Sequence, residues 1–188
     1  MLIGFLISPV INAQFDKEEF EYMTWKEKVF FGGSFGIMFG TYTDIEVSPI
    51  VGYRITRHLS LAVGPKYRYY REKIIYQSQP YSLEGHVYGG RSYVQFYFIK
   101  NINDFIPIGI HAGFFAHAEY ELLSLEEEDF RPQYGNRGRY LLHTAFVGPG
   151  LRLPAGRRAA VNFMVLWNLN ENSDSPYTSP IIRFGFTF

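Results

Sequence analysis

Along most of the chain, large apolar residues recur at every second position, with glycine or polar residues between them. A strand points successive side chains to opposite faces, so this period predicts β-structure with one apolar face and one small or polar face. Eight segments show it. Val29–Gly40 sets Phe31, Phe35, Ile37 and Phe39 against Gly32, Ser34, Gly36 and Gly40, and Ile45–Ile55 sets Val47, Val51 and Tyr53 against Glu46, Ser48, Gly52 and Arg54. Leu59–Arg71 opposes Leu61, Val63, Tyr67 and Tyr69 to Ser60, Gly64, Lys66 and Arg68, and Tyr88–Lys100 opposes Val94, Phe96 and Phe98 to Arg91, Tyr93, Gln95 and Tyr97. Ile106–Glu121 places Ile106, Ile108, Ile110 and Phe114 opposite His111, Gly113, His117 and Glu119. Tyr140–Leu153 is the least regular, since His143 shares a face with Val147, Leu151 and Leu153. Ala159–Leu169 and Pro180–Phe188 complete the set, the latter with Ile182, Phe184, Phe186 and Phe188 alternating with Arg183, Gly185 and Thr187. No segment keeps a helical period.

The connections sharpen the architecture. Thr56–His58, Asn101–Phe105 and Pro154–Arg158 are short, whereas Glu72–Val87, Leu122–Arg139 and Asn170–Ser179 are longer; Thr41–Asp44 is the tight exception on that side. An even strand count with alternating short turns and long loops predicts an all-β fold, an eight-stranded antiparallel up-and-down transmembrane β-barrel spanning 29–188. Short turns and both termini are expected in the periplasm.

A soluble lipocalin-like barrel alternates too, so the chemistry of the two faces has to decide which one is inward. An eight-stranded interior is only just wide enough for side chains, and it suits the glycine-rich face better than the aromatic one. Glu46, Arg54, Lys66, Arg68, Arg91, His111, His117, Glu119, Arg152 and Arg183 are therefore expected to form an interior polar network, with Glu46 a candidate partner for Arg183. The aromatics gather near strand ends, as membrane-interface girdles do. Tyr69, Tyr70, Tyr76, Tyr88, Tyr120, Tyr140 and Trp167 are assigned to the outer rim, and Tyr53, Phe98, Phe105 and Phe188 to the periplasmic rim.

Composition agrees with that choice. Of 188 residues, 18 are Phe and 15 are Tyr, while charged residues make up 19%, below the usual ~25%. The balance of 18 basic and 18 acidic residues argues against a nucleic-acid partner, and the lack of cysteine excludes disulfides and sulfur-ligated metals. The apolar run of residues 1–11, followed by Asn12-Ala13-Gln14, reads as an export signal over residues 1–14, although no basic residue precedes Lys17. Residues 15–28 form a charged periplasmic lead-in containing Trp25.

The terminal Ile182, Phe184, Phe186 and Phe188, with S-P-I-V-G-Y-R-I-T at 48–56 and G-P-K-Y-R-Y-Y at 64–70, resemble segments of the small porin-like, OmpX/OmpA-type barrels of Gram-negative outer membranes. The likeness spans about Val29 to Phe188. It implies outer-membrane lipid as the surroundings, recognition of the last strand by the barrel-assembly machinery, and surface loops available to a larger outer-membrane complex. It implies no activity.

Candidate chemistry is sparse. His111 and His117 lie about 20 Å apart on one strand and cannot share a metal. His117 and Glu119 are close enough to pair, and the alternatives to a structural or accessory protein are a membrane-embedded lipid-modifying enzyme built on His117, Glu119 or His143 and a secreted soluble lipocalin-like barrel binding an apolar ligand. The run Glu126–Asp129 lacks the spaced ligands of a calcium loop and reads as solvated charge, within reach of Arg131, Arg137 and Arg139. No catalytic residue, metal site or cofactor is assigned.

Overall fold

The computed structural model describes residues 20–38, 42–76, 79–107, 109–126, 138–156, 158–170 and 179–188. The expected signal over 1–14, the start of the lead-in, the acidic residues 127–129, Arg131 and Arg137 lie outside the described residues.

Eight strands form one closed antiparallel barrel in which each strand pairs with its neighbours in sequence: β1 (Val29–Met38), β2 (Tyr42–Arg54), β3 (Leu59–Tyr76), β4 (Gln79–Ile99), β5 (Gly113–Glu126), β6 (Arg139–Pro154), β7 (Ala160–Asn168) and β8 (Ile181–Thr187). A short helix α1 (Trp25–Lys28) leads into β1. No helix among the described residues is long and apolar enough to cross a membrane. Closure is made by β1 and β8, with Gly32 opposite Thr187 and Ser34 opposite Gly185. The amide of Phe31 donates to the Phe188 carbonyl at 3.0 Å, and the amide of Phe188 donates back to Phe31 at 2.8 Å. The last residue of the chain thus carries part of the seam.

The period-2 pattern resolves as the two faces of this sheet. Phe31, Phe35, Val51, Val63, Phe96, Phe184 and Phe188 all point outward and stay roughly half exposed, while Ser34, Ser48, Lys66, Arg91, Glu119 and Arg183 point inward and are buried. Where large inward rings need room, a glycine on the neighbouring strand supplies it. A Cβ on Gly150 would sit 2.2 Å from the Phe115 ring, and one on Gly52 would sit 2.1 Å from the Phe30 ring.

Three expectations need correction. Residues 72–87 are not a long loop, because β3 and β4 continue as a paired ribbon out to Tyr76 opposite Gln79. Above the apolar band both faces of a ribbon can meet water, so alternation stops reporting strand there. The fifth strand begins at Gly113 instead of Ile106 and runs on to Glu126. Its connection to β4 holds a 3-10 turn at Ile102–Asp104, and the Asn103 side chain accepts from the Gly109 amide at 2.8 Å. Pro107 has no amide to donate to a ladder, and Gly109 adopts φ +74°, so the alternating isoleucines there do not build a strand. Finally, Tyr70 is not a rim residue; it is buried in the interior.

Prolines shape the wall as well. The β2–β3 ladder is interrupted between Val47–Tyr67 and Val51–Val63, where Pro49 and Pro65 fall on facing strands without amide donors. The Ser48 hydroxyl donates to the Pro65 carbonyl at 2.9 Å, and Arg91 donates to the Ser48 carbonyl at 3.3 Å. The gap in the backbone ladder is closed by side chains from inside the barrel.

Candidate functional site

The inward positions of six strands converge on one connected polar network. Glu119 and Glu121, two residues apart on β5, face the same way and anchor it. Arg183 on β8 donates to both, to Glu119 through Nη1 and to Glu121 through Nη2 at 3.0 Å. Lys66 on β3 lies 2.7 Å from Glu121 and 3.1 Å from Glu46 on β2. Arg91 on β4 approaches Glu119 at 3.7 Å. Among the described residues the cations Lys66, Arg91 and Arg183 thus meet the carboxylates Glu46, Glu119 and Glu121 in direct ion pairs. Direct pairing and hydrogen bonding offset part of the desolvation cost of holding these charges inside the barrel.

From this layer a hydrogen-bonded chain descends toward the short-turn end. His117 Nε2 contacts Glu119 at 2.9 Å, and its Nδ1 faces the Gln95 amide at 3.3 Å. The Tyr97 hydroxyl donates to Gln95 at 3.0 Å and accepts from Arg152 on β6 at 3.3 Å. The chain therefore ties β2, β3, β4, β5, β6 and β8 together across the lumen.

Buried apolar side chains pack around it: Tyr70, Val87, Phe115, Leu123, Leu125, Leu142, Phe146, Met164 and Leu166 form one cluster, and Phe30, Ile50, Ala62 and Tyr93 form another. Between them a hollow of about 20 Å³ is lined by Ser34, Arg91, Asn162 and Thr187 among others. Ser34 Oγ, Arg91 Nε, Asn162 Oδ1 and Thr187 Oγ1 have no protein partner there. The hollow has the size and polarity that a single bridging water needs.

The structure brings Glu46, Lys66, Arg91, His117, Glu119 and Arg183 into this network, and Arg152 at its lower end. Arg68 sits opposite Glu46 in the β2–β3 ladder and within electrostatic reach of it. Arg54 stands apart, at the short-turn mouth, donating to the Glu27 carbonyl at 3.2 Å and stacking 5.5 Å from the Phe30 ring. His111 is a correction: it is exposed in the β4–β5 connection, outside any strand, because the fifth strand starts after it. Arg183 bonds Glu119 and Glu121 directly, and Glu46, the partner suggested for it, lies within its electrostatic reach. Sequence reasoning missed Glu121, since the fifth strand was drawn to stop there. Its shared parity with Glu119 was the available signal.

Outside the barrel, His143 shares a hydrogen bond with the Tyr120 hydroxyl, and His86 faces the Tyr67 hydroxyl at 3.0 Å beside Tyr69 and Tyr88. Arg139 pairs with Glu126 at 2.5 Å, so the described end of the acidic run is met by its own hairpin. Among the described residues no group of His, Asp or Glu is arranged to hold a metal ion. No protein-family model matches the chain, and no curated protein matches it either.

Proposed function

We propose that the protein is a structural or accessory β-barrel of the cell outer membrane, of the small porin-like OmpX/OmpA type, with its termini and short turns in the periplasm. One observation carries this conclusion: polarity is inverted relative to a water-soluble fold. The outward face is a continuous apolar band with Phe184 57% and Phe188 58% exposed, while Lys66, Glu119 and Glu121 are 2%, 3% and 0% exposed inside. In water such a band would be a large sticky surface; against hydrocarbon it is the solvated one. Trp167, Tyr88 and Tyr120 toward one rim, and Tyr53, Phe98 and Phe105 toward the other, are exposed outward where an interfacial girdle would lie.

The filled lumen supports a structural role over a diffusion pore, and the burial of His117 and Glu119 among apolar side chains supports it over an enzyme using that pair. Ile182, Phe184, Phe186 and Phe188 are the outward residues of the closing strand, which suits them to recognition by the barrel-assembly machinery. Partner binding would fall to the loops between strands at the far end.

Fractionation followed by an unboiled-versus-boiled gel tests this. The chain is expected in the outer-membrane fraction with a heat-dependent shift in mobility. Recovery as a soluble protein without detergent would reject the proposal. Replacing His117 and His143 by alanine is expected to leave the lipid profile of the cell unchanged; an altered profile would favour the enzymatic alternative.

A further inference from the structure

The short-turn end of the barrel gathers a group of cations, of which Arg152 also bonds Tyr97 at the lower end of the interior network. A hollow of about 250 Å³ opens there, with Arg54, Arg57, Lys100 and Arg152 in its wall alongside apolar Met23 and Phe30. A second hollow, of about 990 Å³, shares Met23, Arg54 and Arg152 with the first and extends to Lys26, Arg158 and the outward rings of Phe31 and Phe188. The two together lead over the barrel rim beneath α1, from inward-facing arginines to the exposed β1–β8 seam. Phe31 and Phe188 stack there with ring centroids 6.5 Å apart.

Charge in the outer hollow is one-sided. Among the described residues Lys26, Arg54, Arg152 and Arg158 line it, with Glu27 as the acidic side chain beside them. Its Oε2 accepts from the Thr24 amide at 2.7 Å and the Thr24 hydroxyl at 2.9 Å; these bonds, the amide first, hold the carboxylate below its usual range, and Arg158 lies within electrostatic reach of it. Arg152 and Arg158 lie close enough to Arg54 for like-charge repulsion. Holding several like charges around a partly desolvated hollow is unfavourable unless an anion joins them, and guanidinium groups favour phosphate because their donors match it in pairs.

The geometry points to a binding site for one anionic phospholipid, its phosphate among Arg54, Arg152 and Arg158 and its acyl chains against Phe31 and Phe188. The continuity of a cationic pocket with an exposed apolar seam selects a phospholipid over a small soluble phosphate, which would have no use for the seam. This inference rests on the membrane location proposed above. The two fail separately, because fractionation reports location regardless of which lipid is retained.

The test uses the full chain reconstituted in nanodiscs of equimolar phosphatidylglycerol and phosphatidylcholine, with retained lipid read by native mass spectrometry. One phosphatidylglycerol per barrel is expected to be retained in preference to phosphatidylcholine, and Arg54→Gln with Arg152→Gln is expected to lower that preference by about tenfold per contact removed. Lys26→Gln with Arg158→Gln, on the helix and the turn outside the lumen, provides a pair that spares the barrel interior; a matching loss is expected. Arg139→Gln at the opposite rim should change nothing. Equal retention of the two lipids, or unchanged preference in both double variants while they keep their heat-dependent gel shift, would overturn the assignment. Glycerol phosphate binding as tightly as the lipid would also overturn it, in favour of a soluble phosphate.

Discussion

The buried charge layer makes its strongest prediction at Glu121. Its carboxylate is fully buried and takes Lys66 at 2.7 Å and Arg183 at 3.0 Å, so both cations depend on it directly. Glu121→Gln keeps the shape but leaves Lys66 and Arg183 without that carboxylate. Removing one partner of a buried pair costs about 3–5 kcal/mol, against a whole stability of about 5–15 kcal/mol for an ordinary domain. The variant is expected to lose roughly that amount in urea unfolding from lipid vesicles, with folded and unfolded forms separated by unboiled gel mobility. Adding Lys66→Met removes one of the cations left without that carboxylate, although Glu46 then loses one cation. The double variant is therefore expected to lose at least about 2 kcal/mol less than the sum of the two single losses. A loss within about 1 kcal/mol for Glu121→Gln, or strict additivity in the double variant, would refute the view that ion pairing holds the lumen together.

Three further outcomes follow from the same geometry. Gly150→Val is expected to cost about 1–3 kcal/mol in the same unfolding assay, because its Cβ would sit 2.2 Å from the fully buried Phe115 ring; Gly36→Ala, whose Cβ would meet nothing closer than 3.7 Å, should be nearly neutral. Phe188→Asp is expected to reduce the outer-membrane level of heat-modifiable protein, since it places a charge on the outward face of the strand that closes the barrel. Normal levels would count against it. Planar-bilayer recordings of the purified barrel should show no sustained open-pore conductance, because buried apolar clusters and ion-paired side chains fill the lumen among the described residues. Stable ohmic steps would contradict a sealed lumen.

The location of the strands was largely legible because a two-residue period is local: each strand carries its own record of which side chains share a face. That is why Phe31, Phe184 and Phe188 could be placed outward, and Lys66, Glu119 and Arg183 inward, before any pairing was known. Legibility ended where the local signal had another cause. Ile106 and Ile110 alternate as a strand does, yet Pro107 and Gly109 turn the backbone there, and His111 is carried out of the lumen with them. Residues 72–76 and 79–87 look polar and loop-like, yet they continue a paired ribbon.

The sequence by itself determined strand number, the facing of most side chains and the inward direction of the charges, since these depend on neighbours one and two residues away. Tertiary structure alone decided which charges meet. Arg183 pairs with Glu119 and Glu121, which are 64 and 62 residues away, because closure brings β8 round to face β5 across the lumen. No spacing along the chain encodes a distance across a barrel. That distance is set by strand order, stagger and closure together, and so is the meeting of Arg54, Arg152 and Phe188 at the short-turn rim.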